Sequence, residues 1–169
     1  SIEGGTKAYG CCACIGSAGV ALPLISSVML SKAGFAINQY MDGEVSGITP
    51  AGNKIKIKTE TAYPFDGKVK FVIELENDEM LDIKLRVPEY CEDGIIVDGV
   101  RVAAQPDTYY SICKEWKNGD SFEVEFDIKA EVKVLNGKAA VTRGCVVYAI
   151  DSRIQDIDVK VSDKIISDE

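Results

Sequence analysis

Histidine is absent from the 169 residues. Its absence removes the commonest general base at neutral pH and the commonest metal-ligating side chain, so acid–base chemistry would fall to carboxylates, cysteines, lysines or tyrosines. Long apolar runs are missing as well. The longest, Ile15 to Leu30, is interrupted by Gly16, Ser17, Gly19, Pro23, Ser26 and Ser27, and is too short and too broken to span a bilayer. Positive charge is in deficit: 27 acidic side chains outweigh 19 basic ones, for a formal charge of -8. No basic cluster hides inside that total. Such a surface repels phosphate backbones and anionic headgroups, so neither nucleic acid nor a membrane surface is an expected partner. The nucleotide-binding glycine patterns and the GxSxG nucleophile elbow do not occur. Residues 1–10 lack the basic start and apolar core of a signal peptide. The opening SIEGGTKAYGCC carries no initiator Met, and the expectation is a piece of a longer protein.

What is present is core-forming material in a strand pattern. Hydrophobic residues make up 46% of the chain, a globular share that supports one ordinary domain plus an appendage. From Cys14 to Ala33, small and aliphatic residues place Ile15, Val20, Leu22, Ile25, Val28 and Met29 roughly on one helical face, which predicts a largely helical segment kinked at Pro23. Its apolar character on more than one side predicts packing against partners outside the chain, or self-association through residues 15–30. From Phe35 the period changes to two. KIKIKTETAY, KVKFVIEL, MLDIKLRV, GIIVDG, TYYSICKEW, SFEVEFDIKAEVKVL and AAVTRGCVVYAI follow one another, separated by Phe65-Asp66-Gly67, Asn77-Asp78, Asp98-Gly99, Asn118-Gly119-Asp120 and Asn136-Gly137. Short alternating strands with Asn-Gly and Asp-Gly turns predict an antiparallel β-sandwich of jelly-roll type, preceded by a short helical segment. The expected division is 1–33 and 34–169. The tail from about 151, alternating at Ile157, Val159 and Val161, would form an edge strand or the start of a further domain.

Few residues invite a chemical reading. Cys11, Cys12 and Cys14 cluster near the start. Thiolates bind zinc, and a zinc-bound thiol is deprotonated outright, but adjacent cysteines chelate awkwardly and no second cluster exists. Chance thiols at a helix start explain them as well. Cys91, Cys113 and Cys145 lie far apart in apolar surroundings and read as buried small hydrophobes of a reducing compartment. The acidic pairs Glu74–Glu76, Asp78–Glu79, Glu92–Asp93 and Glu123–Glu125 could supply a glycosidase acid and nucleophile, although acids alternating along strands are more often a solvated face. Tyr63, Phe65, Tyr109, Tyr110 and Trp116 could stack on a sugar ring, and core packing explains them as well or better.

Taken together, the order of motifs resembles glycoside hydrolase family 127, the bacterial β-L-arabinofuranosidases. GCCACIGSAGVALPLI is similar to that family's Cys-Cys-x-x-Asn-Gly entering a helix. GFAINQYMDGE, TETAYPFDGKVKFVI, LRVPEYC, EWKNGDSFEVEF and TRGCVVYAID resemble further motifs in the same order, over about residues 9–152. The likeness is to the C-terminal part of the family, in which an (α/α)6 barrel carrying the active site precedes β-sandwich domains. It implies that Cys11 matches the catalytic nucleophile, a zinc-bound cysteine, and that Cys12 matches a second zinc ligand. A glutamate and a third cysteine ligand, together with the acid/base glutamate, belong to the upstream barrel. Residues 1–33 would then be the end of that barrel, with the barrel as partner and a carbohydrate as ligand, in a bacterial cytoplasm. The chain alone would be inactive and would hold no zinc of its own. Departures fall around Ile15, where the family has Asn, and at Cys145, where it has Pro. Phe65 and Tyr90 replace Trp and keep an aromatic. A free carbohydrate-binding module using Tyr63, Phe65 or Trp116, and an interaction domain with no sugar involvement, are the alternatives.

Overall fold

The computed structural model describes residues 16–135 and 138–148. One helix, α1 (Ser17–Ile25), opens it. Thirteen strands follow: β1 (Val28–Ser31), β2 (Gly34–Ile37), β3 (Gly43–Ile48), β4 (Lys54–Thr61), β5 (Lys68–Leu75), β6 (Glu79–Arg86), β7 (Ile95–Val97), β8 (Val100–Val102), β9 (Tyr109–Trp116), β10 (Asp120–Glu125), β11 (Ala130–Leu135), β12 (Lys138–Arg143) and β13 (Val146–Tyr148). They form a four-stranded sheet in the order β1-β2-β6-β9, a six-stranded sheet β3-β4-β5-β10-β7-β8, and a three-stranded sheet β11-β12-β13. Every pairing is antiparallel except β2 with β6, which is parallel.

The first two sheets make the sandwich. Alternation places Val69, Phe71, Ile73 and Leu75 of β5 on the inner face of one sheet, and Leu81, Ile83 and Leu85 of β6 on that of the other, all buried. Their odd-numbered spacing is the two-residue period of a strand with one wet face. Aromatic rings join the layers. Trp116 on β9 meets Phe122 on β10 with ring centroids 5.4 Å apart, and Phe122 stacks on Phe71 at 4.8 Å. Exposed partners decorate the outer faces, such as Lys56 with Glu44 at 3.4 Å and Lys70 with Glu60 at 3.4 Å. Ion pairs this open contribute little to stability.

The mainly β sandwich expected from the alternation is the architecture observed, and three local expectations change. The helix expected over Cys14–Ala33 occupies Ser17–Ile25 and yields to a strand at Val28. Ser26 and Ser27 explain the stop. The Ser26 hydroxyl donates to the carbonyl of Leu22 and that of Ser27 to the carbonyl of Leu24, each at 2.8 Å, capturing acceptors that continued helix would use. Val28–Ser31 then turns back on Gly34–Ile37 and joins the sandwich. The long run Ser121–Leu135 splits into β10 and β11, because pairing with β5 ends at Glu125 and the chain crosses to the third sheet. Finally, of the cysteines read as buried, only Cys91 is; Cys113 and Cys145 are exposed. Cys113 sits opposite Asp82 on the outward register of β9, and Cys145 follows Gly144 in the turn between β12 and β13.

Candidate functional site

A cleft of about 590 Å³ opens where one end of the sandwich meets the third sheet. Five connections build it: Asn38–Tyr40 after β2, Tyr63 after β4, Arg86 at the end of β6 with Pro88 to Glu92 after it, Asp107 before β9, and the β12–β13 turn, with Glu131 and Lys133 of β11 on the rim.

The floor is a tyrosine cluster. Tyr40 is buried, donates to the carbonyl oxygen of Arg86, and packs against Phe126 at 4.6 Å between ring centroids and Tyr63 at 5.7 Å. Burial pushes its phenol well above the usual range, helped by Cys91 and Tyr90. Tyr90 donates to the Tyr63 oxygen at 2.9 Å, and the Tyr63 hydroxyl lies 3.5 Å from the sulfur of Cys145. Desolvation, then the contact between them, raises Tyr63; desolvation raises Tyr90. Both phenols therefore stay protonated throughout the physiological range. On the walls, Arg86 faces Asp107 at 3.5 Å. Asn38 is held at both ends of its amide: its side-chain NH2 donates to Ser26 O at 2.8 Å while its oxygen accepts from the Tyr109 hydroxyl. It thereby ties the end of α1 to β9 at the cleft's edge.

The motifs that ran through the sequence prove to be joints of the fold. Asn38 and Tyr40 of GFAINQY anchor α1 and β6 as described. In TAYPFDG, the Thr61 hydroxyl donates to Lys68 O at 2.7 Å and accepts the Tyr63 amide at 2.9 Å. Gly67 lies so close to the chain just past β10 that a Cβ there would be 2.1 Å from Phe126 O. Cys91 of VPEYC is buried. Trp116 of EWKNGD is fully buried, and Asn118 accepts the Leu75 amide at 3.1 Å. Arg143 of TRGC donates to Phe65 O at 3.0 Å, clamping the third sheet to the sandwich.

The expected site residues fall unevenly. Cys11 and Cys12, with Cys14 and Ile15, lie outside the described residues. Among the described residues no group of three or more His, Cys, Asp or Glu side chains is placed to hold a metal ion. Of the aromatics, Tyr63 lines the cleft, Phe65 is 71% exposed beside it, and Trp116 is sealed in the core. Interior packing is the better account of Trp116. The alternating acids hold their own surface: Lys58 pairs with Glu74, and that hydrogen bond lowers the carboxylate and raises the lysine. Glu79 accepts from Thr49 at 2.7 Å and Asn53 at 2.8 Å. Glu92 is the one member of those pairs on the cleft. Arg86, Asp107 and Glu131 carry no local signature that would single them out.

The comparisons agree with this architecture. A sequence model of the β-L-arabinofuranosidase GH127 middle domain matches residues 34–128, more than half of the chain. Among solved structures, a GH127 β-L-arabinofuranosidase from Geobacillus stearothermophilus T6 superposes with a TM-score of 0.67 at 22% identity, over 82% of this chain and 24% of that one. A glycoside hydrolase gives 0.65 at 22% identity over 80% and 25%, and a GH127 β-arabinofuranosidase 0.61 at 24% over 72% and 23%. At these identities the likeness shows the fold, and the chain spans about a quarter of each structure's length. The comparison with curated protein sequences returns no match. The likeness read from the motifs was to the family's C-terminal part; the match is to its middle domain. The chain belongs to the GH127 β-L-arabinofuranosidase family, whose middle domain it contains at residues 34–128.

Proposed function

We propose that this chain is the accessory β-sandwich region of a glycoside hydrolase acting on arabinofuranoside-type carbohydrates, and that it braces a catalytic helical domain supplied by other parts of the parent protein. The observation that carries this reading is α1. Its Val20, Leu22, Leu24 and Ile25 are 60–81% exposed, although the helix is held to the sandwich through Ser26, Ser27 and Asn38. Four large apolar side chains on one short helix, distributed over more than one side, expose surface that a partner would cover, and surrounding helices pack such a helix by interlocking side-chain ridges.

On this reading the chain up to the end of α1 closes the helical domain, since Val28–Ser31 already belongs to the sandwich, and Cys11 and Cys12 serve there as nucleophile and zinc ligand. Two adjacent thiols are donors of the type zinc takes, yet fewer than the roughly four of a closed tetrahedral site, so upstream residues would complete the set. Zinc bound there would keep a cysteine ionised. The sandwich's part is mechanical: it fixes the direction in which α1 leaves the first sheet. Co-expression with the upstream portion of the parent protein tests this. Co-purification, with arabinofuranoside hydrolysis by the pair and none by the chain alone, is expected. Release of arabinose by the isolated chain would overturn it.

A further inference from the structure

From the cleft beside Tyr63 we infer a second carbohydrate site, separate from the catalytic thiols: the seam between the sandwich and the third sheet binds a neutral arabinofuranosyl oligosaccharide. The cleft itself rests on geometry, while the choice of arabinose rests on the function proposed above. Size comes first. At about 590 Å³ the space lies within the range of small-ligand pockets. It is concave, open among the described residues, and combines ring faces with converging polar groups, the mixture that a sugar's apolar faces and hydroxyl edges require.

The hydrogen bonding within it is unfinished. Tyr90 donates its proton to Tyr63, and among the described residues the partner left for the Tyr63 hydroxyl is the sulfur of Cys145 at 3.5 Å, where either atom could donate; thiol sulfur is a weak donor and a weak acceptor alike. A ligand hydroxyl oxygen would replace that sulfur with a net gain, because half-buried polar groups cost free energy when poorly partnered. Tyr90's oxygen retains a lone pair for a ligand hydroxyl. Because burial holds both phenols protonated, the donor is present at any physiological pH.

Charge selects among sugars. Glu89, Glu92, Asp107 and Glu131 on the walls outnumber Arg86 and Lys133. The excess of carboxylates repels uronates and phosphorylated sugars and accepts hydrogen bonds from neutral hydroxyls.

The test is a titration of the isotope-labelled full chain with a neutral arabinofuranosyl trisaccharide, followed by amide chemical shifts. The expected result is perturbation centred on Tyr63, Tyr90 and Glu131. Tyr63→Phe, which removes only the hydroxyl, should weaken binding about three- to tenfold. Met80→Ala, exposed on β6 and not among the residues lining the cleft, should leave it unchanged. Should Tyr63→Phe fail to give a folded spectrum, Glu131→Lys on the exposed rim takes its place with the same expected weakening. A galacturonic acid trimer should not bind. Shifts scattered over the surface, no shifts at all, tighter binding of the uronate, or xylotriose binding as well as the arabinoside would each overturn the inference. None of these results depends on whether the chain joins a catalytic domain.

Discussion

The indole N–H of Trp116 donates to the carbonyl oxygen of Leu81 at 3.2 Å, across the β6–β9 pair and inside the core. One side chain thus meets Phe122 of the opposite sheet, carries Lys114 Nζ 4.2 Å above its ring, and satisfies a backbone acceptor of its neighbour strand. Trp116→Ala should cost about 3–5 kcal/mol through the cavity it leaves. Trp116→Phe, which keeps a ring but orphans the Leu81 carbonyl, should cost about 1–2 kcal/mol. Chemical denaturation followed by circular dichroism measures both; no loss in Trp116→Phe would contradict the hydrogen bond's share, and equal losses for the two variants would contradict the cavity's. Because Trp116 is the chain's single tryptophan, its blue-shifted emission should move red in the same transition.

Two glycines with similar backbone angles separate conformational strain from crowding. Gly94 (φ +81°) and Gly99 (φ +78°) both occupy the left-handed region, but a Cβ at Gly94 would lie 2.2 Å from Val102 O, while none at Gly99 meets an atom within 4 Å. Gly99→Ala should therefore cost about 1–2 kcal/mol, the strain alone. Gly94→Ala adds a clash with backbone that cannot swing aside, and should cost about 3 kcal/mol or more. Thermal unfolding of the two variants side by side decides it; comparable shifts would mean that the β7–β8 hairpin yields to the added methyl.

Cys91 predicts an alkaline weakness. Burial, reinforced by the Asp127 charge, pushes its thiol from about 9.0 up to about 11. The folded state then holds a proton that the unfolded state releases first. The stabilisation is fully present below pH 9, and it is lost as pH rises through 9 toward 11, where the unfolded chain binds fewer protons than the folded one. In Cys91→Ala the stability difference from the parent chain should shrink steadily over that window. Denaturation midpoints at pH 8, 9 and 10 give the slope, and parallel profiles for the two proteins would refute the assignment. In line with the same burial, iodoacetamide should label Cys113 and Cys145 in the native protein and reach Cys91 only on unfolding.

Legibility of the fold followed the wet and dry faces. KVKFVIEL became β5 without adjustment, because Val69, Phe71, Ile73 and Leu75 face one core and the lysines face water. Period two reports such a strand directly. The helix was over-extended to Ala33 for a reason that periodicity does not see: Ser26 and Ser27 end α1 by hydrogen bonding, and Val28 and Leu30 then line an inter-sheet groove with Phe35. Likewise Cys113, between Ile112 and Lys114, alternates outward opposite Asp82. The cleft was legible only in pieces. Tyr63 stood out as an aromatic, but its partners Tyr90 and Cys145 lie 27 and 82 residues away, and contacts between loops from different strands leave no local pattern. The motifs marked joints, as Tyr40 on Arg86 O and Arg143 on Phe65 O show, and a joint is as demanding of residue type as a catalytic group.

Helix α1 supplies the last prediction. Leu22 and Leu24 are 60% and 69% exposed, Val20 and Ile25 more so, and the helix bears no charged residue in its first or last turn to oppose association. Each leucine that leaves water on association returns up to about 1.5–3 kcal/mol, so a few such side chains on each copy suffice for a weak dimer. Without the proposed helical partner, the isolated chain should therefore self-associate as its concentration rises. Leu22→Ser with Leu24→Ser should yield a monomer by sedimentation equilibrium. Neither side chain belongs to the buried core, so the unfolding midpoint extrapolated to low concentration should stay within about 0.5 kcal/mol of the parent chain. The same pair should weaken capture by the co-expressed upstream region, because both interactions draw on the apolar surface of the same helix. A double variant that still dimerises would place the contact elsewhere, and one that unfolds would show that α1 supports the sandwich rather than only departing from it.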